Sequence, residues 1–274
     1  MKYLDPKADL TFKKVFGEHP DLVISLLNAL LPLEKGDEVQ SVEYLTPEMV
    51  PETPTRKNSI VDVRCKDMKG RQFLVEMQMI WSSEFKQRVL FNASKAYVRQ
   101  FDSKENFKLL QPVYSLNLVD AVFEPDVDTY YHYYRLVHEQ YSNKIIDGLH
   151  LVFVELPKFK PVTYAEKKMQ VLWLRFLSEI DEKTREVPDE LLDNPEIKKA
   201  LDIVEQSAFS DVQLTAYEKF WDSVRVERAL TDGVREEAER NKAIEITRNL
   251  KAMGLSVKDI AKATGLSEEE ITKI

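Results

Sequence analysis

The segment SIVDVRCKDMKGRQFLVEMQMIW, residues 59–81, decides the fold of this 274-residue chain. Two runs with the composition of β-strands flank Asp67-Met68-Lys69-Gly70, which fits a type I turn followed by a glycine in the left-handed region. A turn of this kind closes a three-residue hairpin loop and pairs Asp67 with Arg71, two opposite charges on neighbouring strands. The segment is therefore predicted to be a β-hairpin.

The turn also fixes the register of the hairpin. Counting outward from the turn places Asp62 opposite Glu76 and Ile60 opposite Gln78. Side chains alternate between the two faces of a strand, so Glu76 and Gln78 share one face with Asp62. Three polar groups are thus predicted on one face of an otherwise apolar hairpin.

Two carboxylates directly opposite each other are unfavourable in a purely structural hairpin. At a separation of ~5 Å and an effective dielectric of 20 they repel by roughly 3 kcal/mol. Mg²⁺ or Ca²⁺ bound by Asp62 and Glu76 would remove that repulsion, with the carbonyl of Met77 as a further ligand. Gln78 could orient a water at such a site, although its amide cannot act as a base. The alternative is a polar face on a half-exposed hairpin.

The hydrophobic pattern of the rest of the chain predicts an α/β domain followed by helices. Helical periodicity dominates the first fifty residues and residues 83–101, and strands are predicted at 39–45, 111–123, 129–138 and 150–157. Residues 47–56 contain three prolines and are predicted to be a loop. From Tyr164 onward the pattern is almost wholly helical. We expect domains over 1–160 and 161–253, and a small helix-turn-helix-like tail over 254–274.

Composition excludes several classes of protein. The one cysteine, Cys65, and four scattered histidines rule out a disulfide scaffold and a zinc cluster. No apolar run is long enough to span a membrane, and no apolar signal stretch follows the N-terminus, so a cytoplasmic protein is expected. The net charge of −8 argues against general nucleic-acid binding. Residues 51–110, however, hold 12 basic against 7 acidic residues, so this segment is locally basic within an acidic protein.

The helix after the hairpin carries a polar stripe that consists of Arg88, Asn92, Lys95 and Arg99. Two interpretations remain open for this stripe: it follows a DNA backbone into the metal site, or it is a solvated helix face. Arg88 is the preferred DNA contact because it lies closest in sequence to the strand that carries Glu76.

The C-terminal tail contains two capping-box pairs, Ser256 with Asp259 and Ser267 with Glu270. Its second helix opens with three glutamates, which have the wrong sign for phosphate contacts. The tail is therefore either a protein-interaction unit or a degenerate DNA reader. A homodimer through the helical C-terminal region is a further expectation.

The acidic residues of the hairpin carry a family resemblance. Asp62, followed after thirteen residues by Glu76-Met77-Gln78, resembles the active site of PD-(D/E)XK nucleases. The runs DLTFKKVF (9–16), VEMQ (75–78) and YYHYYRL (130–136) are similar to the recombination-promoting nuclease and transposase-like family within that superfamily. The resemblance covers roughly residues 1–250. Val61 stands where the superfamily has proline, and Gln78 stands where it usually has lysine.

This resemblance implies a restriction-endonuclease-like core, in which a mixed sheet is flanked by helices, with a helical C-terminal extension. It also implies metal-dependent endonucleolytic cleavage of DNA in recombination or transposition, with Asp62 and Glu76 as ligands. Asp9 is a candidate for an additional ligand or for a helix N-cap, and Lys13 is a candidate phosphate contact. The second hypothesis is a catalytically weak DNA-binding or protein-interaction module on the same fold.

Overall fold

The computed structural model describes residues 2–49, 59–100, 106–161 and 168–274, and a mixed β-sheet lies at its centre. The strands in chain order are β1 (Glu43–Tyr44), β2 (Glu48–Met49), β3 (Ser59–Ile60), β4 (Val63–Lys66), β5 (Gln72–Gln78), β6 (Val113–Val119), β7 (Tyr131–His138) and β8 (Tyr141–Glu155). Among the described residues, six strands form one sheet in the order β1-β4-β5-β6-β8-β7, and β2 pairs with β3 separately. The pairs β5–β6 and β6–β8 are parallel, and the other neighbours are antiparallel.

Helices cover the sheet and continue to the C-terminus. In chain order they are α1 (Asp9–Phe12), α2 (Pro20–Leu30), α3 (Phe85–Val98), α4 (Lys168–Glu179), α5 (Asp189–Leu192), α6 (Pro195–Val204), α7 (Asp211–Ala252), α8 (Val257–Thr264) and α9 (Glu268–Lys273). A π-helical turn follows α1 at Lys13–Gly17, and 3₁₀ turns lie at Phe107–Leu109, Leu156–Lys158 and Gln206–Ala208. Because β5 and β6 are parallel, a crossover must join them, and α3 lies in that crossover.

The two faces of the sheet pack against different helices. Val75 on β5 belongs to a core that it shares with α2, α4 and α6, including the fully buried Trp173. On the other face Leu74 packs against Ala93 of α3. Alternation along β5 puts Glu76 on the same face as Leu74, beneath α3. The predicted α/β class, with a mixed sheet flanked by helices and a helical C-terminal part, is confirmed.

The predicted hairpin register is confirmed for β4 and β5. Val63 pairs with Val75, and Lys66 pairs with Gln72. Gly70 has φ +83°, as the turn requires. The side chains of Asp67 and Arg71, which close the turn, form a buried ion pair.

The strand that precedes this turn is shorter than predicted. The chain bends at Asp62, so β3 and β4 are separate strands. Ile60 pairs with Glu48 of β2, and the predicted pairing of Ile60 with Gln78 is wrong. At this bend the side chain of Asp62 accepts the backbone N–H of Met77 on β5. In a regular strand pair a backbone carbonyl would accept that N–H.

Several other boundaries also differ from the prediction. β1 occupies only two residues of the predicted strand 39–45, and β2 lies within the predicted proline-rich loop. β8 begins at Tyr141, nine residues before the predicted strand, because it continues through the hairpin that joins it to β7. Residues 50–56 of the predicted loop, Phe101 and Tyr164 lie outside the described residues.

Contacts divide the chain into two compact units, one that ends at Trp221 and one that spans Asp222–Ile274. The domain boundary expected at residue 160 falls inside the first unit, because α4 and α6 pack into the same core as the sheet. The boundary expected at residue 253 falls inside the second unit. Over the described residues, no helix is both long and apolar enough to cross a bilayer.

The predicted caps of the last two helices are present. The side chain of Ser256 accepts the backbone N–H of Asp259, and Ser267 forms a reciprocal capping box with Glu270. Gly265 ends α8 with φ +73°. The local sequence therefore determines where α8 and α9 begin.

Candidate active site

Asp62 and Glu76 lie on facing segments of the hairpin, at positions that the β4–β5 register places opposite each other. Oδ2 of Asp62 accepts the backbone N–H of Met77 at 2.7 Å. Oε1 of Glu76 accepts an N–H from the side-chain amide of Asn92 on α3 at 2.9 Å. Glu76 is 6% exposed and Asn92 is 2% exposed, so this second hydrogen bond is shielded from water.

Both carboxyl groups have raised pKa values. Burial raises the pKa of Asp62 to about 6, and the hydrogen bond from Met77 opposes part of that shift. Burial raises the pKa of Glu76 to about 7; the hydrogen bond from Asn92 and the charge of Arg88 oppose the shift, whereas the charge of Asp62 adds to it. The pair is therefore only partly ionised at neutral pH unless a cation stabilises its charged form.

Helix α3 brings a cation to these carboxyl groups. Arg88 precedes Asn92 by one helical turn, so both side chains face β5. The Nη2 atom of Arg88 donates a hydrogen bond to Oε1 of Gln78 at 2.5 Å and lies 3.9 Å from Oε2 of Glu76. Asn92 was predicted only as a member of the polar stripe. Its contact with Glu76 depends on how α3 packs on the sheet, and the sequence pattern does not specify that packing.

The side-chain amide of Gln78 is engaged at both ends. Its Nε2 donates to the carbonyl of Ile80, and its Oε1 accepts from Arg88. A water-orienting role for Gln78 stays a prediction. Met77 contacts Asp62 through its backbone N–H. The use of the Met77 carbonyl as a metal ligand also stays a prediction.

Asp9 and Lys13 lie near enough to Asp62 to act on it electrostatically. The charge of Lys13 lowers the pKa of Asp62 and the charge of Asp9 raises it, both to a smaller extent than burial. Lys13 and Asp9 form an ion pair of 2.5 Å with each other. The alternative of Asp9 as a helix N-cap is wrong, because Ala8 occupies that position and Asp9 lies in the first turn of α1.

The other two cations of the predicted DNA-binding stripe lie further along α3. The ammonium group of Lys95 donates to the carbonyl of Met49. Burial and the neighbouring charge of Arg99 lower the pKa of Lys95. Arg99 is the exposed C-cap residue of α3. Contacts of Lys95 and Arg99 with DNA stay predictions.

The donor set at the carboxyl pair fits a hard divalent cation. Among the described residues, Oδ1 of Asp62 receives no hydrogen bond and Oε2 of Glu76 has only the 3.9 Å ion pair with Arg88, so one oxygen of each carboxylate can take a metal. Within the described ranges no group of three or more His, Cys, Asp or Glu side chains could hold a metal. Two carboxylates suit Mg²⁺, which usually retains several waters and takes its remaining ligands from substrate phosphates.

Comparison with known families matches residues 6–228 to a model described as the PD-(D/E)XK nuclease family transposase. This chain belongs to that family. No curated protein and no solved structure shows a significant match. Family membership confirms the resemblance seen in the sequence and identifies the α/β core as restriction-endonuclease-like. PD-(D/E)XK nucleases generally use divalent metal ions, and a nuclease family implies DNA as the substrate.

Proposed function

We propose that this protein is a metal-dependent DNA endonuclease that hydrolyses phosphodiester bonds in recombination or transposition. The observation that carries the proposal is the buried pair Asp62 and Glu76, each with one available carboxylate oxygen, beside the guanidinium of Arg88. Buried carboxyl groups with raised pKa values and a specific charged neighbour are typical of functional sites. Membership of a nuclease family gives this chemistry its substrate class.

Each residue of the site has a distinct role in this proposal. Asp62 and Glu76 hold the metal, and Asn92 fixes the orientation of Glu76. Asp9 adds negative charge near Asp62, and Lys13 balances it. A bound Mg²⁺ would supply Lewis-acid chemistry at the phosphodiester. Lys95 and Arg99 at the far end of α3 would guide the DNA backbone toward the carboxyl pair.

Incubation of the purified protein with supercoiled plasmid tests the proposal directly. We expect conversion to the nicked form with Mg²⁺ and none with EDTA, because turnover requires the metal. Ca²⁺ in place of Mg²⁺ distinguishes the two candidate ions. Binding without nicking under every metal would contradict the proposal and favour a catalytically weak DNA-binding module.

Substitution of Asn92 tests how Glu76 is positioned. Asn92→Ala removes the buried donor to Oε1 of Glu76, so we expect activity at limiting Mg²⁺ to fall roughly 10- to 100-fold. Saturating Mg²⁺ should recover much of that loss. The measurement is a Mg²⁺ titration of nicking, with Gln87→Ala at an exposed position of the same helix as the control. An unchanged Mg²⁺ requirement in Asn92→Ala would remove Asn92 from the site.

Truncation after Gly254 tests the role of the C-terminal tail. Ile260 and Ile271 of the tail are fully buried, and the carboxylate of Glu270 pairs with Arg240 of α7. Because α9 opens with three glutamates, we expect the truncated chain to bind DNA with an unchanged slope of log affinity against log salt. Fluorescence anisotropy over a salt series measures that slope. A decrease of about two units or more would make the tail a DNA-binding module.

A further inference from the structure

The guanidinium of Arg88 is held over the candidate site with most of its donors available. Nη2 contacts Gln78 and lies 3.9 Å from Glu76, and the group also lies 4.8 Å from the ring of Phe85. Its other N–H groups donate to no acceptor among the described residues. The side chain is 50% exposed, so these donors can reach a ligand that approaches the carboxyl pair.

The side-chain amide of Gln78 holds this guanidinium in position through a hydrogen bond. The carbonyl of Ile80 fixes the amide nitrogen, which turns the amide oxygen toward Arg88. A neutral amide cannot itself stabilise the negative charge that develops on a phosphate. The planar guanidinium can, because it presents paired N–H donors that match two phosphate oxygens.

The neighbouring cations are already engaged. Lys13 forms an ion pair with Asp9, and Lys95 donates to the carbonyl of Met49. Arg88 is the cation whose described contacts join both Gln78 and Glu76.

We propose that Arg88 is a catalytic residue that contacts the phosphodiester under attack, and that Gln78 is the positioning residue that holds its guanidinium. This inference rests on the proposed function. In the hydrolysis, the oxygen of a water forms a bond to phosphorus as the bond to one deoxyribose oxygen breaks. The protons of that water end on the departing oxygen and in the solvent, leaving a hydroxyl and a phosphate monoester. Arg88 stabilises the added negative charge without giving up a proton.

A set of paired variants tests this division of roles. We expect Arg88→Ala to lower kcat for nicking about 100-fold or more, because it removes preorganised donors from the transition state. Gln78→Met, which roughly keeps the length of the side chain but replaces the amide oxygen by a weakly accepting thioether, should lower kcat about 10-fold. The double variant should be no slower than Arg88→Ala alone, since Gln78 acts through Arg88. Gln78→Lys in the Arg88→Ala background should recover at least about 10-fold by restoring a cation.

DNA binding in EDTA gives a second readout. Arg88→Ala should lower the slope of log affinity against log salt by about one unit, whereas Gln78→Met should leave it unchanged. Lys86→Gln is the matched control, because it removes one positive charge from the same helix at a residue that pairs with Glu124. It should leave kcat unchanged.

Each alternative result overturns a defined part of the inference. Additive losses in the double variant would show that Gln78 acts independently of Arg88. A raised KM with unchanged kcat in Arg88→Ala would reduce Arg88 to a contact with the DNA backbone. A wild-type protein that does not nick under any metal would overturn the proposed function as well. An active wild type with an equally active Arg88→Ala variant would overturn this inference alone.

Discussion

Asp62→Asn and Glu76→Gln should each lower metal-dependent nicking roughly 1,000-fold or more. Each change removes one of the two carboxylate ligands but keeps an oxygen that can accept the existing hydrogen bond, from Met77 or from Asn92. The fold is therefore preserved while the charge that attracts the cation is lost. The measurement is the rate of plasmid nicking at saturating Mg²⁺, with circular dichroism to verify folding.

Glu84→Gln provides the matched control for these two variants. Glu84 is exposed at the N-cap position of α3, and its side chain makes no capping hydrogen bond. The control also removes a single negative charge near the hairpin, so it should nick at the wild-type rate. Wild-type rates in both Asp62→Asn and Glu76→Gln, with contaminating nuclease excluded, would show that these carboxylates are not the ligands.

The hairpin and its register could be predicted because their determinants are local. The turn Asp67–Gly70 specifies its own geometry, and the opposite charges of Asp67 and Arg71 reinforce it. The caps at Ser256 and Ser267 were predictable for the same reason. In each case the decisive contacts join residues that are at most four apart in the sequence.

The features that could not be predicted depend on contacts between distant residues. The bend at Asp62 depends on the pairing of β3 with β2 and on the N–H of Met77. The contacts of Arg88 and Asn92 depend on how α3 crosses the sheet to reach β6, which the helical pattern alone does not specify. The polar stripe on α3 indicated which residues share a face, but not that two of them face the carboxyl pair.

In the absence of metal, the buried carboxyl pair should make the protein less stable as the pH rises. The folded-state pKa values of about 6 for Asp62 and about 7 for Glu76 exceed those of unfolded chains, which are about 4. Between about pH 4 and pH 7 the folded state therefore binds more protons than the unfolded state, and the free energy of unfolding falls. The loss becomes nearly complete at about pH 8, one unit above the pKa of Glu76.

Removing either charge should reverse this loss. At pH 8 in EDTA we expect Asp62→Asn or Glu76→Gln to raise the free energy of unfolding by on the order of 2 kcal/mol, or the melting temperature by roughly 4 to 8 °C. The two gains should not add fully, because each charge contributes to the cost of the other. At pH 4, where both carboxyl groups are protonated in the folded state, the variants and the wild type should differ little.

Thermal unfolding in EDTA at several pH values between 4 and 8 measures these differences, and the same series with Mg²⁺ gives the complementary result. A cation that binds only the folded wild type should raise its melting temperature at pH 8 and leave Asp62→Asn largely unaffected. A stability difference between the variants and the wild type that does not grow from pH 5 to pH 8 in EDTA would contradict the burial of two opposed carboxylates. A variant less stable than the wild type at pH 8 would mean that the carboxylates stabilise the fold without metal, which a metal-binding pair should not do.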